Sequence, residues 1–134
     1  MHELVLVSGI IDAVSNLAEE KGAKRVSKLT VAVGELASID RGLIEELLRE
    51  LSVGTKLAGA EIVVVMEEAR VLCLSCGAEW GFRELVGPLS EEEREMVHFL
   101  PELISSFSKC PRCGGRYFRI ESGRSLRVVE VELE

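Results

Sequence analysis

No apolar run in this chain promises a membrane span. The stretch Leu4 to Ile11 is eight residues long and is cut by Asp12, whereas a spanning helix needs about 20. No Lys or Arg precedes it, so the basic lead of a secretory signal is missing and a cytoplasmic location is expected. Positive charge is also in short supply. Lys+Arg total 16 against 23 Asp+Glu, a formal net charge of −7, which speaks against a general nucleic-acid binder that must neutralise phosphates. There is no Gly-rich phosphate loop, and the two histidines stand apart from any serine–acid pair, so no catalytic set is legible and the chain does not read as an enzyme. Internal repeats and low-complexity linkers are absent. At 134 residues the chain is one ordinary domain or two small ones.

What is present reads as an α+β organisation. Leu4, Val7, Ile11, Val14 and Ala18 recur at three- and four-residue steps, predicting an amphipathic helix over Glu3 to Lys21 that ends at Gly22. Alternation at Leu29, Val31 and Val33 predicts a half-buried strand over Val26 to Leu36. Asp40 is a candidate N-cap for a second helix with Leu43, Ile44, Leu47, Leu48 and Leu51 on one face. Ile62 to Met66 has strand composition, as does Leu126 to Leu133 at the far end. Helix, strand, helix, strand leaves a sheet short of a strand, and the last strand is expected to return and complete a mixed three-stranded sheet. The expected partition is residues 1–69 plus 124–134 as one domain and 70–123 as an inserted zinc-ribbon-like domain, with a helical or looped insert around 88–106.

The strongest chemical signal is the pair of turns Cys73-Leu-Ser-Cys76-Gly77 and Cys110-Pro-Arg-Cys113-Gly114. A two-residue spacing lets both sulfurs of a turn face one ion, and two such turns make the closed tetrahedral S₄ set of structural zinc. A dithiol redox pair would leave the second turn without a purpose; an iron–sulfur cluster and buried free thiols are the remaining readings. Four thiolates leave no open position for water, so this metal would hold the fold rather than react. Between the turns lie 33 residues, Gly77 to Lys109, more than the ribbon spacing of about 15 to 20. The excess carries its own helix start, Ser90 with Glu93 as capping-box partner.

A second metal site is suggested at Met1-His2-Glu3. The bulky His2 disfavours removal of the initiator Met, so the α-amine belongs to Met1. That amine, the deprotonated His2 amide and the His2 imidazole close fused chelate rings around one ion. Such planar nitrogen sets suit Ni(II) or Cu(II) better than zinc. The other histidine, His98, lies in the apolar Met96-Val97-His98-Phe99-Leu100-Pro101. Taken alone, His98 reads as a packing residue and His2 as an exposed terminal one.

Together these features resemble the HypA family of hydrogenase nickel-incorporation proteins. The resemblance rests on Met1-His2-Glu3 opening an amphipathic helix, Val33-Gly34-Glu35-Leu36 closing the first strand, Gly54-Thr55 and Gly59-Ala60 before the second, and the two Cys-x-x-Cys-Gly turns, in the same order along the whole chain. It implies structural Zn(II) on Cys73, Cys76, Cys110 and Cys113, and exchangeable Ni(II) on Met1, His2 and Glu3. Long-insert members carry a His-Phe-hydrophobic-Pro-Glu segment, matched by His98-Phe99-Leu100-Pro101-Glu102, which adds His98 as a nickel ligand. It further implies a nucleotide-hydrolysing partner, HypB, and the large subunit of a [NiFe]-hydrogenase as the destination of the metal. The rival reading is a zinc-ribbon nucleic-acid adaptor built on Lys109, Arg112, Arg116, Arg119, Arg124 and Arg127, with Tyr117 and Phe118 to stack on bases.

Overall fold

A computed structural model describes residues 2–134; Met1 lies outside the described residues. The chain divides into two compact units, one comprising residues up to Val33 with Ser38–Met66 and Leu126–Glu134, the other Gly34–Ala37 with Glu67–Ser125.

The first unit begins with α1 (Glu3–Glu20), whose buried residues Val7, Ile11, Val14 and Ala18 form one stripe. It stops because Gly22 adopts φ 69°, letting Ala23 N–H reach Ala18 O and Gly22 N–H reach Glu19 O. These two bonds satisfy carbonyls that the helix itself leaves open. β1 (Val26–Gly34) is the middle strand of a sheet in the order β2-β1-β6, with β2 spanning Glu61–Glu67 and β6 spanning Leu126–Leu133. The returning strand β6 runs antiparallel to β1, from Val26 opposite Leu133 to Val33 opposite Leu126, with irregularities at Val26/Lys28 and Thr30/Val31. Its central place explains why Val31, Ala32 and Val33 are all buried, where alternation had suggested one wet face. Helix α2 (Arg41–Leu51) is capped by Asp40, whose Oδ1 accepts the Leu43 N–H at 3.1 Å, and it buries Ile44 and Leu48.

The expected strand end at Leu36 is corrected to Gly34. A Cβ on Gly34 would stand 2.3 Å from the Gly123 carbonyl carbon and oxygen, so only glycine admits this approach. Beyond it the backbone leaves the ladder: Glu35 N–H donates to Glu67 O and Leu36 N–H to Gly123 O.

The second unit holds an antiparallel sheet in the order β4-β3-β5, from β3 (Arg70–Cys73), β4 (Glu79–Gly81) and β5 (Phe118–Ile120). Three helices follow β4: α3 (Phe82–Val86), α4 (Glu91–Phe99) and, after a 3₁₀ turn at Pro101–Leu103, α5 (Ile104–Phe107). α4 begins with the expected capping box, Ser90 Oγ accepting the Glu93 N–H and Glu93 Oε1 the Ser90 N–H. Ala69, Val71, Phe82, Leu85, Val97 and Ile104 make the core. Among the described residues no helix is long and apolar enough to cross a membrane.

Candidate metal centre

The two cysteine turns share one hydrogen-bond pattern. In each, the glycine after the second cysteine donates to the carbonyl of the first: Gly77 to Cys73 and Gly114 to Cys110. Both glycines have positive φ, 80° and 75°, a conformation that side chains disfavour. The first cysteine of each turn then donates its own N–H five residues ahead, Cys73 to Ala78 O and Cys110 to Gly115 O, both at 2.8 Å. The chain thus builds the same knuckle twice, burying Cys73 and Cys110 and leaving Cys76 and Cys113 nearer solvent.

The four sulfurs converge. All lie within 4.8 Å of one another, with Cys73 Sγ 3.6 Å from Cys113 Sγ and Cys76 Sγ 3.7 Å from Cys110 Sγ. No disulfide joins them. A tetrahedron with metal–sulfur bonds of about 2.3 Å has edges of about 3.8 Å, so the spacing fits one four-coordinate ion. Among the described residues this is the one group of three or more potential ligands that comes together.

Electrostatics also call for a cation. Burial opposes charge on Cys110, but the backbone N–H groups of Cys113 and Arg112, the Trp80 indole and the Cys76 thiol outweigh it and hold its pKa at about 6. For Cys73, burial is again overcome, by the N–H groups of Cys76 and Ser75 and the thiols of Cys113 and Cys76, and its pKa falls. Cys113 goes the other way. The Gly115 N–H favours its thiolate, yet burial and the three neighbouring sulfurs push it up to about 12. The set holds its last proton until a cation supplies opposing charge, at which point a ligating thiol deprotonates.

The other expected ligands are on different units. His2 is exposed and occupies the N-cap position of α1, where its side chain makes no capping hydrogen bond. Its carbonyl accepts the Leu6 N–H, so the helix engages the oxygen of His2. Glu3 opens the first turn, whose N–H groups a helix does not use in its own ladder. His98 is exposed on the last turn of α4, its ring edge-on to Phe99 at 6.2 Å; it is not the packing residue that its apolar neighbours suggested.

Two residues escaped the sequence reading. Trp80 packs against the core of the second unit, and its only signal was being the sole tryptophan, four residues past Cys76. Glu35, nearly buried, accepts the Ala69 N–H at 2.6 Å and Arg83 Nε at 3.1 Å, a structural clasp in the second unit. The basic residues behind the nucleic-acid reading are partly spent: Arg124 pairs with Glu102, Arg119 with Glu121, and Arg116 donates to Ser106 O.

The family model described as hydrogenase/urease nickel incorporation, metallochaperone, HypA matches residues 1–133. The hydrogenase maturation factors HypA of Thermococcus onnurineus and Pyrococcus horikoshii are each 37% identical to this chain, over all of it and 96% of their own length. The solution structure of the Ni metallochaperone HypA from Helicobacter pylori shares the fold, with a TM-score of 0.63 at 19% identity over 99% of this chain and 97% of that one. The chain belongs to the HypA family of nickel metallochaperones of hydrogenase maturation.

Proposed function

We propose that this protein carries Ni(II) at its N-terminus and holds Zn(II) in the Cys73, Cys76, Cys110 and Cys113 site. In this reading residues 1–69 and 124–134 form the nickel-binding domain and 70–123 the zinc domain. Zinc is preferred because four thiolates on two knuckles suit a d¹⁰ ion with no geometric demand beyond the tetrahedron. When bound, it supplies the charge that lets all four thiols ionise and cross-links the two turns; with no open position it offers no seat for a substrate. We read the chain as a carrier and not a catalyst.

Nickel is the cargo. The Met1 amine, the His2 amide and imidazole and the Glu3 amide form the chelate, with His98 as a further, more weakly held ligand. The observation that supports this reading most is His2 itself, exposed at a helix start where its side chain makes no capping hydrogen bond. Binding expels protons from amine and amide nitrogens, so uptake and release are coupled to pH and to any partner that competes for a ligand. In the cytoplasm a HypB-type nucleotide-hydrolysing factor would exchange the metal with this chain, on the way to the large subunit of a [NiFe]-hydrogenase.

The test is Ni(II) titration of the untagged chain beside one extended before Met1. The extension moves the amine and leaves both histidines in place. Loss of the square-planar absorption and at least a tenfold weaker affinity are expected; an unchanged spectrum rejects the terminal site. His2→Ala should match the extension, and His98→Ala should weaken binding less.

A further inference from the structure

The chain passes between the two units at Val33/Gly34, Ala37/Ser38, Met66/Glu67 and Ser125/Leu126. Each passage leads into one cluster of hydrogen bonds that lies wholly within the second unit. Its segments, Gly34–Ala37, Glu67–Arg70 and Ser122–Ser125, are stacked so closely that a Cβ on Gly34 would stand 2.3 Å from the Gly123 carbonyl and one on Gly123 2.5 Å from Ala69 Cα. Backbone bonds cross the stack: Gly34 N–H to Ser125 O at 2.9 Å, Glu35 N–H to Glu67 O at 2.9 Å and Leu36 N–H to Gly123 O at 2.8 Å. Side chains close it. Glu67 Oε1 accepts the Gly123 N–H, and Ser122 Oγ accepts the Arg70 N–H and donates to Glu68 O. Glu35 lies at the centre, its side chain only 13% exposed. An acid so far from water is costly unless its lone pairs are used, and here both oxygens are: one takes the buried Ala69 N–H at 2.6 Å, the other Arg83 Nε at 3.1 Å.

We propose that Glu35 is a coupling residue, whose carboxylate binds the connection between β1 and α2 into the second unit so that this connection opens and closes with β3 and not with β1. Chain order alone suggests the opposite, because a short connection between two elements of the first unit should share their local stability. What reverses the expectation is where its bonds go: its donors are spent on Ser125, Glu67 and Gly123, and its acid on Ala69. Without the carboxylate the Ala69 N–H is left buried with no acceptor, which costs more than the bond itself was worth. β3 runs from Arg70, held at the clasp, straight to Cys73 of the first cysteine turn. Loosening of the cysteine turns therefore reaches the entrance to α2 along one strand, with the first core left intact. That last step rests on the four-thiolate metal reading above; the clasp itself does not.

Native-state hydrogen exchange of the whole chain in low urea, read amide by amide by NMR, tests the coupling. In the unaltered protein the amides of Gly34, Glu35 and Leu36 should join the opening that exposes β3. Glu35→Ala should release them from it and speed their exchange about tenfold relative to β3, the scale of a lost hydrogen bond to a charged group. Arg83→Ala removes only a partner whose side chain is 86% exposed and should speed them less than about threefold. Amides that follow β1 in the unaltered chain, or that stay with β3 in Glu35→Ala, overturn the proposal. Should Glu35→Ala not fold, the grouping in the unaltered chain decides. Addition of a zinc chelator to the zinc-loaded chain should then speed exchange at Gly34–Leu36 and in β3 together. A chelator that speeds β3 and spares Gly34–Leu36 overturns the coupling. One that changes no amide refutes the four-thiolate reading, a separate failure, and the urea series still decides the role of Glu35.

Discussion

The two units reach stability by different routes. The first buries thirteen apolar residues in one cluster, the second six in its main cluster, although the units are similar in length. At about 1.5–3 kcal/mol of gross burial per large aliphatic side chain, the second core is far thinner, and small cores of this kind normally need a staple. The four sulfurs stand where that staple would act, joining β3 and the turn after it to the segment before β5. The difference extends to the proposed metals. The cysteine site is made by folding, from residues 40 apart in sequence, whereas the nickel chelate is made by covalent adjacency.

The most forceful way to break this comparison is Cys110→Ser. Cys110 is buried and belongs to the more ionisable part of the set, so its loss should abolish retention of zinc. Because a metal's binding free energy is folding free energy in such sites, amide protection in β3–β5 should collapse while α1, α2 and the β2-β1-β6 sheet stay protected. Hydrogen exchange read by mass spectrometry resolves the two units. If both lose protection together, the first unit does not stand on its own core.

A milder perturbation is acid. Thiolates favoured by backbone donors, with Cys110 at about 6, keep their metal until the pH falls below that range. The nickel chelate requires a neutral amine and a deprotonated amide, and α-amines ordinarily titrate at about 8. Lower pH adds protons to both ligand sets, so both affinities fall in the same direction, and nickel goes first. Equilibrium dialysis from pH 8 to 5 with metal analysis should show nickel leaving over the first two units and zinc staying. Zinc leaving first would reverse the assignment of which site is the carrier.

These two sites were not equally legible in the sequence. Paired Cys-x-x-Cys-Gly turns announce a metal because a knuckle is a local structure, complete within six residues. The return of β6 was readable because the early part of the chain supplies only two of the sheet's three strands, β1 and β2. The end of β1 at Gly34 was not readable, since it depends on Gly123, far along the chain. Trp80 was missed for a similar reason: only the β3–β4 register sets it opposite Val71, against the core of the second unit. His98 misled because apolar neighbours in sequence need not be buried with it: Val97 turns into the core, while Phe99 is 82% exposed beside the His98 ring.

The finest probe compares one helix start from each unit. Asp40 caps α2 through the Leu43 N–H, and Ser90 caps α4 through the Glu93 N–H. Replacing either cap with Ala removes about 1 kcal/mol from its helix. In the first unit that loss reaches the unfolding free energy directly, so Asp40→Ala should lower the urea midpoint whether or not zinc is present. In the second unit the metal-held turns dominate, and the same loss should hide. Ser90→Ala should be almost silent in the zinc-loaded protein and should show its full effect once a chelator has removed the ion. Equal effects of the two substitutions in the loaded protein would mean that the second unit, like the first, is held mainly by its apolar core.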